Sequence, residues 1–347
     1  MKYRRANHSM VRVIEPGDDI SYPASESPTP EAALLNIVIY GHKPDPNDPR
    51  KRGLPFQPES YRDFMLFPAH YAGAAAGIAA LSLRQLPFPF LQTVFLWLVR
   101  LWTWLTGTVF PPFRPSGLYL KQPIFYQSNH LSIVASGAPV ARPRYCKRYL
   151  DVELELGCVL GCELYNAASP EETLAAIGGF VVLNDFSARD VQWAEMRSGF
   201  GPQLCKSFAS SISAEIVSAD EVLPLLQVRS SSSRPPLSPT LLVLVISVLI
   251  LEPKKKKALT GRVIINQKVV AECAVGPGDW QFTLGEALAH ASQGTRLYPG
   301  ELFGSGTLPG GAGIENMAFE VQVGDTVSLE IDGVGCVTNS IIAEEEG

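Results

Sequence analysis

Three acidic side chains sit in one short stretch, Leu150-Asp151-Val152-Glu153-Leu154-Glu155-Leu156-Gly157, at a spacing that chemistry can use. Apolar Leu150, Val152, Leu154 and Leu156 alternate with Asp151, Glu153 and Glu155. That is the period-2 pattern of a strand with one face in the core. At the rise of a strand, alternate carboxylates on the other face stand ~6–7 Å apart. Like charges so placed repel, and a bound cation relieves the repulsion. Taken alone, the strand reads by default as the solvated outer face of an antiparallel sheet. A second stretch shifts the balance. Uncharged Ile177 to Leu183 reads as a strand that delivers Asn184 and Asp185 at its end. Carboxylates at strand ends with no Cys or His beside them favour a hard, oxygen-seeking ion such as Mg²⁺ over zinc.

Other residues are chemically suggestive but ambiguous one by one. Asp63 and His70 lie seven residues apart, close to two helical turns, so one helix or turn could face both inward. A lone His in an apolar setting is ordinarily a satisfied core residue. Arg189 and Gln192 follow Asp185 by four and seven residues and near-align if the segment turns helical. The plain alternative is a salt-bridged turn holding Asp190. Lys206 has apolar neighbours, where an unpaired ammonium is costly. It is therefore either paired to a carboxylate or kept for an anionic intermediate. In Gly304-Ser305-Gly306-Thr307, glycines let backbone N–H groups approach a ligand oxygen, or simply make a tight turn.

Together these stretches resemble the fumarylacetoacetate hydrolase family. Its signature is an E-x-E strand, an N-D-x-S-A-R-D-x-Q segment, a downstream K-S-F and a G-x-G-T loop. Here they stand as Glu153/Glu155, Asn184 to Gln192, Lys206-Ser207-Phe208 and Gly304 to Thr307, in that order. The resemblance implies an α+β, strand-dominated fold with a rolled mixed β-sheet core behind a small N-terminal region. It implies Mg²⁺ (Mn²⁺ or Ca²⁺ as alternatives) on Glu153, Glu155 and Asp185, with Asp63 as a fourth ligand. It gives His70 the role of catalytic base. Glu315 would orient that base, since it follows the glycine loop at the spacing where hydrolytic relatives carry such a carboxylate. Lys206 would stabilise an enolate, and Arg189, Gln192, Gly306 and Thr307 would contact substrate. The expected reaction is hydrolysis of a C–C bond in a 1,3-dicarbonyl or acylpyruvate-type 2-oxo acid, by a cytoplasmic homodimer. The family's decarboxylases, hydratases and isomerases share the metal–enolate step, but the presence of both His70 and Glu315 favours hydrolysis. A catalytically silent or membrane-associated binding protein is the reading from a different class.

The elements that must position these residues are partly legible. The chain has 347 residues, 46% hydrophobic and 18% charged, which are globular values with length for one main domain and a small appendage. A net charge of −5 gives no electrostatic case for nucleic acid as a partner. Six scattered cysteines, with no His at zinc-finger spacing, read as buried free thiols in a reducing compartment. The first residues lack the apolar run of a secretory signal.

Residues 1–55 read as a small N-terminal unit, with element candidates at Val11–Ile14 and Leu34–Tyr40. Residues 56–228 and 258–347 read as the catalytic domain. Residues 229–257 read as an insertion: Ser/Pro-rich, then uncharged from Leu241 to Leu251, then Lys254 to Lys257. Leu91 to Leu105 is apolar and aromatic, but shorter than the ~20 residues that span a bilayer. The expectation there is a buried or dimer-facing helix ended by Pro111-Pro112 and no membrane partner, with a membrane-surface helix as the alternative. Ala74–Leu83 and Leu284–Ser292 read as helices, Asn266-Gln267-Lys268 as a hairpin turn. Ser169, Pro170 and Glu172 read as an N-cap, N1 and a capping box.

Overall fold

The computed structural model describes residues 44–226 and 259–344, apart from 46, 85, 89, 277 and 316. The N-terminal candidates Val11–Ile14 and Leu34–Tyr40, and the insertion 229–257, lie outside the described residues.

Strand β1 (Tyr61–Phe64) is followed by helices α1 (Pro68–Leu83) and α2 (Phe90–Thr106). Strands β2 (Phe125–Ser128), β3 (Ile133–Ala135), β4 (Val140–Arg142), β5 (Leu150–Asp151) and β6 (Glu153–Leu160) come next. Helix α3 (Pro170–Ala175) leads to β7 (Ile177–Asp185), β8 (Ser187–Ala188), α4 (Arg189–Arg197) and α5 (Leu204–Ser207). Then come β9 (Ser210–Ile212), β10 (Val217–Ser218) and α6 (Ala219–Leu226). The last part holds β11 (Leu259–Ile265), β12 (Lys268–Val275), α7 (Leu284–Ala291), β13 (Leu302–Ala312), β14 (Thr326–Ile331) and β15 (Gly335–Ala343).

Among the described residues the largest sheet runs β2-β1-β13-β6-β7-β9-β3, with β10 beside β7. The β1–β13 and β3–β9 pairs are parallel, while β6 runs antiparallel to both its neighbours. This is a mixed sheet in a strand-dominated α+β fold. A second sheet runs β12-β11-β14-β15-β4, and β5 pairs with β8. Leu154, Leu156 and Val182 of the first sheet share one core with Val263, Leu329 and Val337 of the second. Every residue of β6 is buried. The solvated-face reading of Asp151, Glu153 and Glu155 is therefore wrong: the apolar face meets the second sheet, and the acidic face is covered as well.

Local signals explain several boundaries. Pro68 follows an extended Phe67 and starts α1, as fixed φ and a missing N–H favour at the first helical position. Asp63 thus stays on β1 while His70 sits in the first turn of α1, so the two do not share one helix. Ser169 caps α3 by accepting from the Glu172 N–H at 3.2 Å. Glu172 reaches back one residue further than a capping box requires, to the Ala168 N–H at 2.7 Å. The β11–β12 hairpin turns on Asn266 and Gln267 at φ 50° and 66°, the positive pair that a two-residue turn demands.

Helix α2 departs most from expectation. None of its side chains is buried, so the buried-helix reading fails. No helix among the described residues is long and apolar enough to cross a membrane. All six cysteines are free, four of them buried.

Candidate active site

Sheet register brings four carboxylates to one point. Asp63 on β1 lies opposite Gly304 on β13, and Gly304 lies opposite Gly157 on β6. Glu155 of β6 faces Thr307 of β13 and Leu183 of β7. Asp185 ends β7, beside Ser210 of β9. Strand β13 thus separates Asp63 from the two glutamates by two strand spacings, roughly 9–10 Å. Their side chains close that gap by leaning over Gly304. A Cβ there would overlap Asp63 Oδ1 and stand 2.6 Å from Glu155 Oε2, so any larger residue would push the two carboxylates apart. One oxygen each from Asp63, Glu153, Glu155 and Asp185 then lies within 4.8 Å of the others.

The charge balance is unusual for a buried site. Lys206 Nζ donates to Glu153 Oε2, and to Asp185 Oδ2 at 2.6 Å. Arg189 Nη2 pairs with Asp151 at 2.8 Å and Glu153 at 2.7 Å. Tyr126 donates to Asp185 Oδ2 at 2.6 Å, and Ser210 to Oδ1 at 3.1 Å. Asp63 Oδ1 and Glu155 Oε2 are buried with no hydrogen-bond partner, which is costly for a carboxylate. Burial, and then the charge of Asp185, raises the Asp63 carboxyl well above its usual range. Burial and Asp63 do the same to Glu155. Burial also works to raise Glu153, but the Lys206 and Arg189 charges outweigh it and hold that carboxyl low. Burial opposes the Lys206 charge, yet Asp185 and Glu153 raise its pKa above the ordinary lysine value. Two neighbouring buried carboxylates, each with an oxygen that no donor satisfies, in an all-oxygen set fit a hard divalent cation.

The histidine enters from a different part of the fold. His70 Nδ1 lies 3.0 Å from Glu315 Oε1, while Nε2 lies 3.7 Å from Glu153 Oε1, too far for a hydrogen bond. Glu315 belongs to a single 3-10 turn, Gly313–Glu315, directly after β13. Gly310 N–H anchors its carboxylate at 3.0 and 3.1 Å. Helix α1 packs on that turn through glycines one and two turns beyond His70. A Cβ on Gly73 would stand 3.3 Å from Glu315, and one on Gly77 would overlap the Ile314 carbonyl. Asp151 fixes the turn from the other side, accepting from Gly313 and Ile314 N–H at 2.8 and 3.0 Å while holding Arg189 Nε at 2.9 Å.

Most residues singled out in the sequence meet here. Arg189 donates to Gln192 at 2.9 Å, one helical turn along α4. The salt-bridged turn around Asp190 does not form, because Asp190 instead accepts from Lys147 and Arg148 N–H. Thr307 Oγ1 reaches Glu155 Oε1 at 3.5 Å, a weak contact. Gly306, at φ 78°, turns the strand where a Cβ would meet the Phe64 carbonyl at 2.5 Å. The roles of Tyr126, Asp151 and Gly304 were not legible in the sequence. Tyr126 lies in the Phe125 to Asn129 stretch, whose only signal is a likeness to a loop before E-x-E strands. Asp151 looked like one more member of an acidic row.

Comparisons with known proteins agree with this architecture. Residues 113–342 match the family model "Fumarylacetoacetate (FAA) hydrolase C-terminal", and the chain belongs to that family. Among curated proteins, the fumarylacetoacetase of Dictyostelium discoideum is 31% identical over 217 residues, 55% of this chain and 48% of that one. The fumarylacetoacetase of Arabidopsis thaliana is 30% identical over 216 residues, again 55% and 48%. The chain thus spans about half the length of the curated relatives it matches. Among solved structures, a fumarylacetoacetate hydrolase from psychrophilic Exiguobacterium antarcticum shares the fold at TM-score 0.52 and 17% identity. That match covers 84% of this chain and 78% of the other. Asp63 and His70 lie outside the family-model match, and the β1–β13 pairing and the docking of α1 are what bring them to the site.

Proposed function

We propose that the protein is a divalent-metal-dependent hydrolase that cleaves a C–C bond in a 1,3-dicarbonyl or acylpyruvate-type 2-oxo acid. One observation carries this reading: the partnerless oxygens of Asp63 and Glu155 belong to a carboxylate cluster whose Glu153 lies 3.7 Å from a His70 Nε2 that is uncommitted. Asp63, Glu153, Glu155 and Asp185 would hold Mg²⁺, which when bound supplies Lewis-acid polarisation and a seat for two substrate oxygens. Glu315 accepts from His70 Nδ1–H, which leaves Nε2 as a proton acceptor. His70 Nε2 takes a proton from water as its oxygen adds to the acyl carbonyl. The C–C bond then breaks, its electron pair leaving as an enolate, and the acyl carbon becomes a carboxylic acid. Lys206 would stabilise the enolate charge, and a proton returned to its carbon completes the second product. Arg189, Gln192 and Thr307 would contact substrate, with Gly306 bringing backbone close. The names of the fumarylacetoacetase relatives support the same chemistry.

The test is a screen of acylpyruvates, fumarylacetoacetate and oxaloacetate with Mg²⁺ and with EDTA, with products identified. The expected outcome is Mg²⁺-dependent formation of a carboxylic acid and a 2-oxo acid or ketone from one water. Release of CO₂ alone, or isomerisation without cleavage, would overturn the hydrolase assignment.

A further inference from the structure

Helix α2 carries a continuous apolar stripe. Phe90, Val94, Trp97, Leu98, Trp104 and Leu105 recur at helical spacing on one side, and all six are exposed, Trp97 by 59% and Trp104 by 78%. A different flank is partly covered, where Phe95 meets the Phe113 ring and Trp102 meets the Phe110 ring. The stripe is therefore a surface that the described residues leave bare. Its electrostatic setting narrows what can cover it. Between Phe64 and Leu150 the chain has eight Lys or Arg and no Asp or Glu, although its net charge is −5. Of the eight, Arg84 is paired from outside the segment, with Glu320 at 2.7 Å. Arg100, Arg114 and Lys121 of this segment are exposed.

We propose that α2 seats the protein on an anionic lipid surface, lying along the headgroup layer. Tryptophan beside arginine is the side-chain chemistry that this layer favours. The helix cannot cross, since no described helix is long and apolar enough to do so. A second copy is the competing occupant. A two-fold interface sets a patch against itself, which would set two copies of α2 together, each carrying Arg100 and neither carrying an Asp or Glu. An anionic bilayer satisfies both the apolar stripe and its basic surroundings.

Vesicle sedimentation with the full-length chain tests this, using phosphatidylcholine alone and phosphatidylcholine with one-third phosphatidylserine. Binding to the anionic vesicles is expected to be stronger by about tenfold or more, given ~1 kcal/mol per basic residue near such a surface. It should weaken with salt and be accompanied by a blue shift of tryptophan emission. The double variant Trp97→Glu/Trp104→Glu should lose binding with its circular-dichroism spectrum intact. A second variant, Arg100→Glu/Arg114→Glu, should lose the preference for anionic vesicles. Because residues 241–257 form another apolar and basic run, a deletion of 229–257 is measured in parallel and should still bind. The inference fails if the full chain binds neither vesicle, or if binding follows the 229–257 deletion and ignores the tryptophans. It also fails if the tryptophan variant converts a dimer to a monomer while vesicle binding is absent throughout.

Discussion

The four carboxylates come from the sheet, on β1, β6 and β7, whereas His70 and Glu315 come from a helix start and a 3-10 turn. Strand pairing fixes the spacing of the first set through backbone hydrogen bonds. The second is fixed by packing through Gly73 and Gly77 and by hydrogen bonds local to the 3-10 turn, from Gly310 N–H to Glu315 and from Gly313 and Ile314 N–H to Asp151. The cation seat and the proton acceptor are therefore built by separate means and should fail separately.

The largest effect is expected from the sheet half. Asp185→Asn removes one ligand charge and keeps a partner for Lys206. It should abolish Mg²⁺ binding in equilibrium dialysis and cut turnover on the order of 10³-fold or more, as several kcal/mol of charge stabilisation implies. His70→Ala should lower turnover by ~10²–10⁴-fold, the range for a general base, while Mg²⁺ affinity stays that of the wild type. Gly77→Ala pushes α1 off the Ile314 carbonyl without touching a carboxylate. A displacement near 1 Å costs about 10²-fold, so kcat should fall with Mg²⁺ affinity unchanged. Gly304→Ala should do the reverse, weakening Mg²⁺ first because Asp63 and Glu155 can no longer meet. Equal loss of both properties in either glycine variant would show that the halves are not separable.

The smallest effect is on stability. Asp63 and Glu155 titrate well above their ordinary values of 3.8 and 4.5. The folded chain holds their protons more tightly than the unfolded one. That contribution is complete below the ordinary carboxylate values and is lost as pH rises through the raised ones. Glu153, held low, acts oppositely and loses its contribution only in stronger acid. In EDTA the melting temperature should therefore fall as pH rises above the ordinary carboxylate range, and Mg²⁺ should restore it. A melting temperature indifferent to Mg²⁺ at neutral pH would contradict the cation seat.

Several parts of this arrangement were legible in the sequence. The alternation at Leu150–Leu156 marked extended chain, which the structure divides at Val152 into β5 and β6, and Asp185 was read correctly at a strand end because its strand is a continuous apolar run. Burial of the acidic face was not legible, since period-2 alternation looks the same whether the polar face meets water or a pocket. Asp63 and His70 were placed on one element because seven residues suit two helical turns, yet Pro68 between them marks a helix start. Gly304 was read for its backbone freedom, whereas its role is to leave room between side chains from the two strands flanking β13. That depends on pairing partners far away in sequence. The small N-terminal unit 1–55 and the insertion 229–257 remain proposals. Removal of 229–257 should leave circular dichroism and Mg²⁺ affinity intact, as loop length costs little in closure entropy.

The most direct measurement takes Mg²⁺ affinity and acylpyruvate turnover on the same preparation of His70→Ala, beside the wild type. The account predicts wild-type Mg²⁺ affinity with turnover lost. Retained turnover, or loss of both together, would contradict it.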